Sequence, residues 1–170
     1  EAAKTVMSVP ASGVIAAAYT GRRANRPNLI SYDMGGTSTD VALIRDCRPS
    51  VSNEIEIEYA MPIHVPMVDV RSIGAGGGSI ARVNEAGLLE VGPQSAGADP
   101  GPICYGRGGE LPTISDANMV LGRLDVGKLK SVPGVVGIGD IRAIFQTRLG
   151  DPLGVDAETA AAAVLRMATT

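Results

Sequence analysis

The stretch Asp33-Met34-Gly35-Gly36-Thr37-Ser38-Thr39-Asp40 decides which fold the chain is expected to adopt. It lies between two short and mostly apolar segments, residues 28–32 and 41–44, which we predict to be strands. The first strand therefore ends on a carboxylate, turns through two glycines and a row of hydroxyl residues, and returns as a strand. Because glycine permits positive φ and lets a ligand approach the main chain, the stretch predicts a β-hairpin shaped around a ligand.

The groups in this turn suit a phosphate together with a metal ion. Exposed main-chain N–H groups form a concave anion site in such a turn, and the hydroxyls of Thr37, Ser38 and Thr39 add donors. Asp33 and Asp40 cannot hold a phosphate directly, but carboxylates can hold a hydrated Mg²⁺ or orient a water. The residues alone also permit an ordinary Gly-Gly hairpin turn with capping hydroxyls.

Composition is that of a globular protein and argues against several partner classes. The chain has 170 residues, enough for a core, and 45% of them are hydrophobic. The net charge is −3 and no basic stripe occurs, so we expect no nucleic-acid partner. We see no signal peptide and no apolar run as long as the roughly 18 residues that a membrane span needs. The two cysteines are far apart in the sequence. We therefore expect a cytoplasmic protein without a membrane partner.

The remaining pattern predicts a helix, a run of β-hairpins, a glycine loop and then helices. Residues 61–66 contain two prolines and are expected to be irregular, and Gly150 is expected to stop a helix. The predicted strands are residues 28–32, 41–44, 50–58, 68–73, 80–84 and 88–91, and the predicted helices begin at Ser8, at Ser115 or Asp116, at Asp140 and at Asp156.

A second glycine-rich stretch, residues 74–81, also joins strand to strand. Its Gly76, Gly77, Gly78 and Ser79 are candidates for lining a ligand cleft, and close packing of a strand against a helix is the alternative. A dinucleotide fingerprint joins a strand to a helix instead. The pattern thus favours an α/β or α+β domain on a largely antiparallel sheet over a Rossmann unit.

Four blocks together carry a resemblance to a known family. Residues 33–40 resemble the phosphate-binding hairpin of the sugar-kinase, actin and heat-shock-chaperone ATPase superfamily. Residues 72–81, 91–109 and 113–124 narrow this to the A-type subunit of the hydantoinase/oxoprolinase family, and the similarity runs from about Ser8 to Leu124. The resemblance implies an α/β fold, a partial actin-like ATPase domain with β-hairpins and flanking helices.

The resemblance also implies an activity and its partners. Members use ATP and Mg²⁺ to activate a cyclic amide such as 5-oxoproline, a hydantoin or another lactam, by phosphorylating the lactam oxygen. They pair with a B-type subunit or are fused to a B-type half, so we expect an oligomer. Two alternatives stay open: an ATP-dependent ketone carboxylase subunit, of the kind that acts on acetone, and a non-catalytic, nucleotide-dependent assembly module.

By the same resemblance, residues 1–170 are the central part of the hydantoinase A domain. The first phosphate hairpin of the family and its adenosine-contacting segment have no counterpart here, so we expect the piece to be inactive alone. Asp33 is assigned to catalysis and metal binding and Asp40 to catalysis, although Asp40 can equally cap the hairpin. The residues assigned to the nucleotide are Gly35, Gly36, Thr37, Ser38, Thr39, Gly76, Gly77, Gly78 and Ser79.

Several residues depart from the family pattern or have two readings. Val9 and Ser12 replace glycines at the start of the first helix, so a ligand approach there is not expected. Asp116 is a helix cap or a site carboxylate, and Cys104 is structural or reactive. His64 is expected at a strand edge, and one histidine with two scattered cysteines does not make a zinc site.

Overall fold

The structure is a computed structural model that describes residues 8–52, 55–57, 61–63, 67–125 and 136–169. Contacts divide the chain into two compact units. The first unit holds the described residues up to Met34 together with Thr39–Ile73, and the second holds Gly35–Ser38 together with the described residues from Gly74 onward. Among the described residues, no helix has the length and apolar character needed to cross a membrane.

The elements follow the predicted order of a helix, hairpins and then helices. The helices are α1 (Ser8–Arg23), α2 (Ile114–Val120), α3 (Ile138–Phe145), α4 (Asp151–Leu153) and α5 (Ala157–Ala168). The strands are β1 (Leu29–Met34), β2 (Thr39–Arg45), β3 (Arg48–Pro49), β4 (Val51–Ser52), β5 (Ile55–Ile57), β6 (Met61–Ile63), β7 (Met67–Val68), β8 (Val70–Ile73), β9 (Ser79–Val83) and β10 (Leu89–Ser95).

The first unit is a helix packed on a small antiparallel sheet. Strand β2 is central and pairs with β1, β3 and β8. Alternation along β2 directs Ala42 and Ile44 to one face, where they form a core with Val14 and Ala18 of α1. The small residues of α1 let the helix lie close to the sheet.

The region between β3 and β8 differs from the prediction. Within residues 50–58, Val51–Ser52 (β4) pairs with β7 and Ile55–Ile57 (β5) pairs with β6. The expectation that residues 61–66 are irregular is wrong for Met61–Ile63, because Pro62 is accommodated in the short two-stranded sheet formed with β5. His64 lies outside the described residues.

The second unit joins the β9–β10 hairpin to helices α2 to α5. Its core contains fully buried Phe145, Ile141, Leu149 and Val164. Helix α5 presents Ala160 to the same core without exposed surface, and such small residues permit close contact between helices. As predicted, Asp156 caps α5 by accepting a hydrogen bond from the Thr159 N–H at 2.7 Å.

The prediction that a helix starts at Asp140 and stops at Gly150 is wrong. Helix α3 begins at Ile138, a π-helical turn follows over Gln146–Gly150, and α4 continues to Gly154, which has a φ of 68°. Gly150 itself has right-handed helical backbone angles. A Cβ at Gly150 would lie 2.6 Å from Nε2 of Gln146, so this glycine serves close packing and does not end the helix.

Replacing Phe145 with alanine tests where the core of the second unit lies. Because the ring is fully buried, Phe145→Ala should lower the free energy of opening of α3 and α5 by about 3–5 kcal/mol. Native-state hydrogen exchange of the amides in these helices measures that energy. Ile138→Ala, at a position 39% exposed, should change it by about 0.5 kcal/mol or less, and equal effects of the two variants would contradict this core.

Candidate functional site

The first unit brings the two predicted carboxylates together. The register of the β1–β2 hairpin places Asp33 directly opposite Asp40. Directly paired residues in antiparallel strands have Cβ atoms about 4.5–5.5 Å apart, and like charges at that distance destabilise the sheet. Asp40 also accepts a hydrogen bond from the Ser72 hydroxyl through Oδ1, while Asp33 is exposed. The pair is therefore a place where a bound cation would offset electrostatic repulsion.

A cavity of about 230 Å³ opens beside these carboxylates. Its lining consists of Pro10, Gly13, Val14, Ala17, Ser31, Tyr32, Asp33 and Asp40. Helix α1 comes close at Gly13, where a Cβ would lie 3.8 Å from Oδ2 of Asp33. The cavity is small for a nucleotide, but six waters around one Mg²⁺ occupy roughly 180 Å³.

The donor set fits magnesium better than a metal that needs a protein cage. Among the described residues, no group of three or more His, Cys, Asp or Glu side chains could hold a metal ion. Mg²⁺ is usually bound by one or two carboxylates, with waters and substrate phosphates completing its shell. Asp33 and Asp40 supply carboxylates of that number.

The turn Gly35–Ser38 belongs to the second unit and is held there through its main chain. The Gly77 N–H donates to the Gly35 carbonyl at 2.9 Å, and the Gly78 N–H donates to the Gly36 carbonyl at 2.7 Å. Within the turn, the Gly35 N–H donates to the Ser38 carbonyl at 2.8 Å. Both glycine carbonyls of the turn are thus directed at the second glycine-rich stretch.

This arrangement fixes where the N–H groups of the turn point. A trans peptide unit is planar, so its N–H is antiparallel to its C=O. The Gly36 N–H shares a unit with the Gly35 carbonyl, and the Thr37 N–H shares one with the Gly36 carbonyl. Both N–H groups therefore point away from Gly77 and Gly78. Within the described residues, neither donates to a protein acceptor, which is the condition for an anion site.

The hydroxyl residues of the hairpin differ in exposure. Thr37 is exposed and Ser38 is half-buried. Thr39, the first residue of β2, is only 2% exposed. Thr37 is therefore the hydroxyl residue of the three with most access to a ligand in solvent.

The second glycine-rich stretch lies against the back of the turn. Gly76 and Gly78 are buried, and Ser79 is 1% exposed. The Ser79 hydroxyl accepts a hydrogen bond from the Gly76 N–H at 3.0 Å. These residues thus pack against the turn, and whether they also contact a ligand stays a prediction.

Asp116 and Cys104 occupy the interior of the second unit. The N-cap of α2 is Thr113, so the expectation of Ser115 or Asp116 as N-cap is wrong. Asp116 is instead the reciprocal partner in a capping box, because its carboxylate accepts from the Thr113 N–H at 3.0 Å. It also accepts from the N–H groups of Ile103 and Cys104, at 3.3 and 2.8 Å. Its carboxylate is therefore structural.

Sequence reasoning missed several residues that support the turn or line the cavity. Gly13 and Ser31 line the cavity, and Ser31 was detectable because it lies on the same strand face as Asp33. Ser95 donates to the Gly36 carbonyl at 3.4 Å, and the Ser115 N–H donates to the Gly77 carbonyl at 2.8 Å. No sequence signal indicated Ser95, because its partner is 59 residues away.

Comparison with known proteins gives consistent similarities. The sequence profile of a family described as Hydantoinase/oxoprolinase matches residues 1–170. Caprolactamase subunit alpha from Pseudomonas jessenii is 40% identical over 169 residues, which are 98% of this chain and 24% of the relative. 5-Oxoprolinase from Saccharomyces cerevisiae is 46% identical over 123 residues, 71% of this chain and 9% of the relative.

Two solved structures agree in fold. The crystal structure of ATP-dependent caprolactamase from Pseudomonas jessenii matches with a TM-score of 0.79 at 38% identity, over 94% of this chain and 23% of that one. A nucleotide-free acetone carboxylase structure matches with a TM-score of 0.78 at 34% identity, over 93% and 22%. The chain thus spans about a quarter of these relatives. The predicted fold class, a partial actin-like ATPase domain of the α/β class, is confirmed.

Thiol labelling distinguishes a structural Cys104 from a reactive one. Burial raises the pKa of the Cys104 thiol, and the Asp116 charge and hydrogen bond raise it further. A raised pKa keeps the thiol protonated between pH 7 and 9, and the thiolate is the reactive form. Iodoacetamide should therefore modify half-buried Cys47 before unfolding and Cys104 only after it. Peptide mapping reads out both sites, and modification of Cys104 in the folded protein would contradict this assignment.

Proposed function

Because this chain belongs to the hydantoinase/oxoprolinase family, we propose that it is part of a subunit that hydrolyses cyclic amides with ATP. The observation that carries the proposal is the turn Gly35–Ser38, whose Gly36 and Thr37 N–H groups point away from the second glycine-rich stretch and, among the described residues, donate to no protein acceptor. The names of the caprolactamase and 5-oxoprolinase relatives support a lactam as substrate class.

The turn is assigned to the phosphate chain of ATP. Hydrogen bonds from N–H groups to a charged phosphate are short and roughly twice as strong as neutral ones. The exposed side chain of Thr37 adds a hydroxyl donor, and Ser38 adds a second one with less access. Direct contact of the nucleotide with Thr39, Gly76, Gly77, Gly78 or Ser79 stays a prediction.

Asp33 and Asp40 are assigned to the metal. Asp33 is exposed and lies two residues before the turn in sequence, so it is the main candidate ligand for Mg²⁺. When bound, Mg²⁺ would withdraw negative charge from the transferring phosphoryl group. Asp40, already bonded to Ser72, would add a second negative charge that favours a divalent cation.

The proposed reaction transfers a phosphoryl group and then opens a ring. The lactam carbonyl oxygen attacks the γ-phosphorus of ATP, the bond to the β,γ-bridging oxygen breaks, and ADP leaves. Water then adds to the activated carbon, and the C–N bond breaks as the ring nitrogen takes up a proton. A second water hydrolyses the resulting acyl phosphate to a carboxylate and free phosphate. Positioning and electrostatic stabilisation are what a protein supplies in the first step, and we assign the phosphate contacts to the turn and the metal to Asp33.

Ketone carboxylation is the second candidate. It is supported by the match to acetone carboxylase at a TM-score of 0.78. A ketone and a lactam both present a carbonyl oxygen to the γ-phosphate, so the turn and Asp33 would serve either substrate. Dependence of ATP cleavage on bicarbonate separates the two.

The proposal includes further protein. We propose a B-type subunit or fused half as partner, within an oligomeric enzyme, because the related caprolactamase chain is named as a subunit. The partner and the remaining polypeptide would supply the lactam or hydantoin site, the first phosphate hairpin of the family and the adenosine contacts. A cytoplasmic location, where ATP and Mg²⁺ are abundant, completes the proposal.

Asp33→Asn in the full-length polypeptide with its B-type partner tests the assignment. The substitution removes the charge that holds the metal and keeps the side-chain size. Lactam-dependent ATP cleavage should fall at least about 100-fold in kcat, because the lost interaction is made mainly in the transition state. The measurement is ADP, phosphate and ring-opened product released with 5-oxoproline, caprolactam or a hydantoin.

Asp46→Asn is the matched control, because Asp46 is an exposed carboxylate in the β2–β3 turn with a φ of 51°, a conformation that asparagine tolerates. This control should keep full activity. Unchanged kcat in Asp33→Asn would remove Asp33 from the site. Bicarbonate-dependent ATP use by the wild type would shift the function to carboxylation, and nucleotide binding without substrate-dependent turnover would favour an assembly module.

A further inference from the structure

Three glycines, Gly76, Gly77 and Gly78, form what we call the glycine segment, and they do more than pack. Gly77 and Gly78 each donate a main-chain hydrogen bond to the turn and accept one from the core. The Gly77 carbonyl accepts from the Ser115 N–H at 2.8 Å, and the Gly78 carbonyl accepts from the Ala96 N–H at 2.8 Å. The glycine segment therefore bridges the turn and two core elements, α2 and the end of β10.

At Gly76 and Gly78, no side chain fits between the glycine segment and the turn. A Cβ at Gly76 would lie 2.6 Å from the Thr37 carbonyl carbon and 2.7 Å from the Ser38 nitrogen. A Cβ at Gly78 would lie 2.8 Å from the Gly36 carbonyl oxygen and 2.9 Å from Oγ of Ser95. The turn atoms in these contacts belong to the main chain, and they cannot move aside as a flexible side chain could.

Gly77 faces a different obstacle. A Cβ at Gly77 would lie 3.7 Å from the Gly35 carbonyl oxygen, an ordinary contact, but 2.7 Å from Oγ of Ser115. Apart from its chain neighbours, no other atom of the described residues comes within 4 Å. The clash at Gly77 is thus with one removable hydroxyl behind the segment, whereas the clash at Gly78 is partly with the turn itself.

The core behind the segment is firmly held. Ser115 is the second residue of α2, and its neighbour Asp116 is fully buried with its carboxylate bonded to the N–H groups of Ile103 and Cys104. Each of these bonds places a charged acceptor on a main-chain donor, the stronger class of hydrogen bond. The position of the Ser115 N–H, and through it that of Gly77, is therefore set by the core.

We infer that the glycine segment is a positioning element that sets the polarity of the turn: it holds the Gly35 and Gly36 carbonyls back so that only N–H groups meet the phosphate chain. Rotation of either peptide unit would replace an N–H by a carbonyl oxygen, which loses a hydrogen bond and repels the anion. This inference rests on the proposed function and assigns the segment to support of the turn.

The test compares nucleotide affinities in the full-length polypeptide with its partner subunit. Calorimetry with Mg²⁺ and a non-hydrolysable ATP analogue, and separately with AMP, gives the affinity ratio of the two ligands. This ratio measures how much the β- and γ-phosphates contribute to binding. A merely destabilised protein loses both affinities together, and Val164→Ala, in the fully buried core, should lower the melting temperature without changing the ratio.

Gly78→Ala should lower the ratio at least about tenfold, the equivalent of one charge-assisted hydrogen bond. Gly74→Ala is the matched control, because a Cβ there meets nothing within 4 Å, and it should keep the wild-type ratio. Gly77→Ala should lower the ratio as well, and the double variant Gly77→Ala with Ser115→Ala should restore it to within about twofold, since the obstructing hydroxyl is gone.

Each outcome decides the inference. A wild-type ratio in Gly78→Ala, or a loss in Gly77→Ala that Ser115→Ala does not reverse, would overturn it while leaving the proposed function in place. If Gly78→Ala does not fold, the Gly77 and Ser115 pair still decides. A wild-type protein that binds the ATP analogue no better than AMP refutes the proposed function, and the inference falls with it.

Discussion

Two main-chain hydrogen bonds, from Gly77 to Gly35 and from Gly78 to Gly36, are the constraint on which the candidate site depends. A peptide unit cannot present its N–H and its C=O on the same side. A turn that is to bind an anion must therefore place its carbonyls somewhere, and buried carbonyls need donors. The glycine segment supplies these donors, and a Cβ at Gly76 or Gly78 would lie within 2.8 Å of main-chain atoms of the turn, which explains why these two positions are glycine.

The interior of the second unit makes this contact stable. Asp116 is a fully buried charge, which is costly unless it is hydrogen-bonded. Donors from Thr113, Ile103 and Cys104 surround it. This carboxylate ties a glycine- and proline-rich loop to the start of α2, and the same turn of helix carries the N–H that holds Gly77. Asp116 has no part in the proposed chemistry, but it thus holds in place the glycine segment that supports the turn.

Relatives that act on different substrates share this piece of structure, and the proposed chemistry accounts for it. Caprolactamase and acetone carboxylase match over nearly the whole chain at similar TM-scores. On the proposed function, lactams and ketones would both offer a carbonyl oxygen for activation by ATP, so a segment assigned to the phosphate chain could stay constant while substrate contacts vary elsewhere. One fold can then serve both reactions.

The sequence by itself determined the features that depend on near neighbours. Two short apolar segments and the turn residues between them predicted the β1–β2 hairpin, while the register that pairs Asp33 with Asp40 came from the structure. A capping residue gave the start of α5, and the four family blocks gave the fold class. These succeed because hairpin turns and helix caps are set within a few residues along the chain.

Tertiary structure alone decided the features that depend on distant atoms. The sequence left open whether the glycine segment lines a cleft or packs, and it took Gly150 as a stop signal. A glycine can serve a positive φ, a ligand or a close backbone contact, and the sequence does not distinguish these uses. At Gly78 the choice depends on the Gly36 carbonyl and Ser95, and at Gly150 on Gln146 and Val155. The approach of those atoms is fixed only when the core has formed.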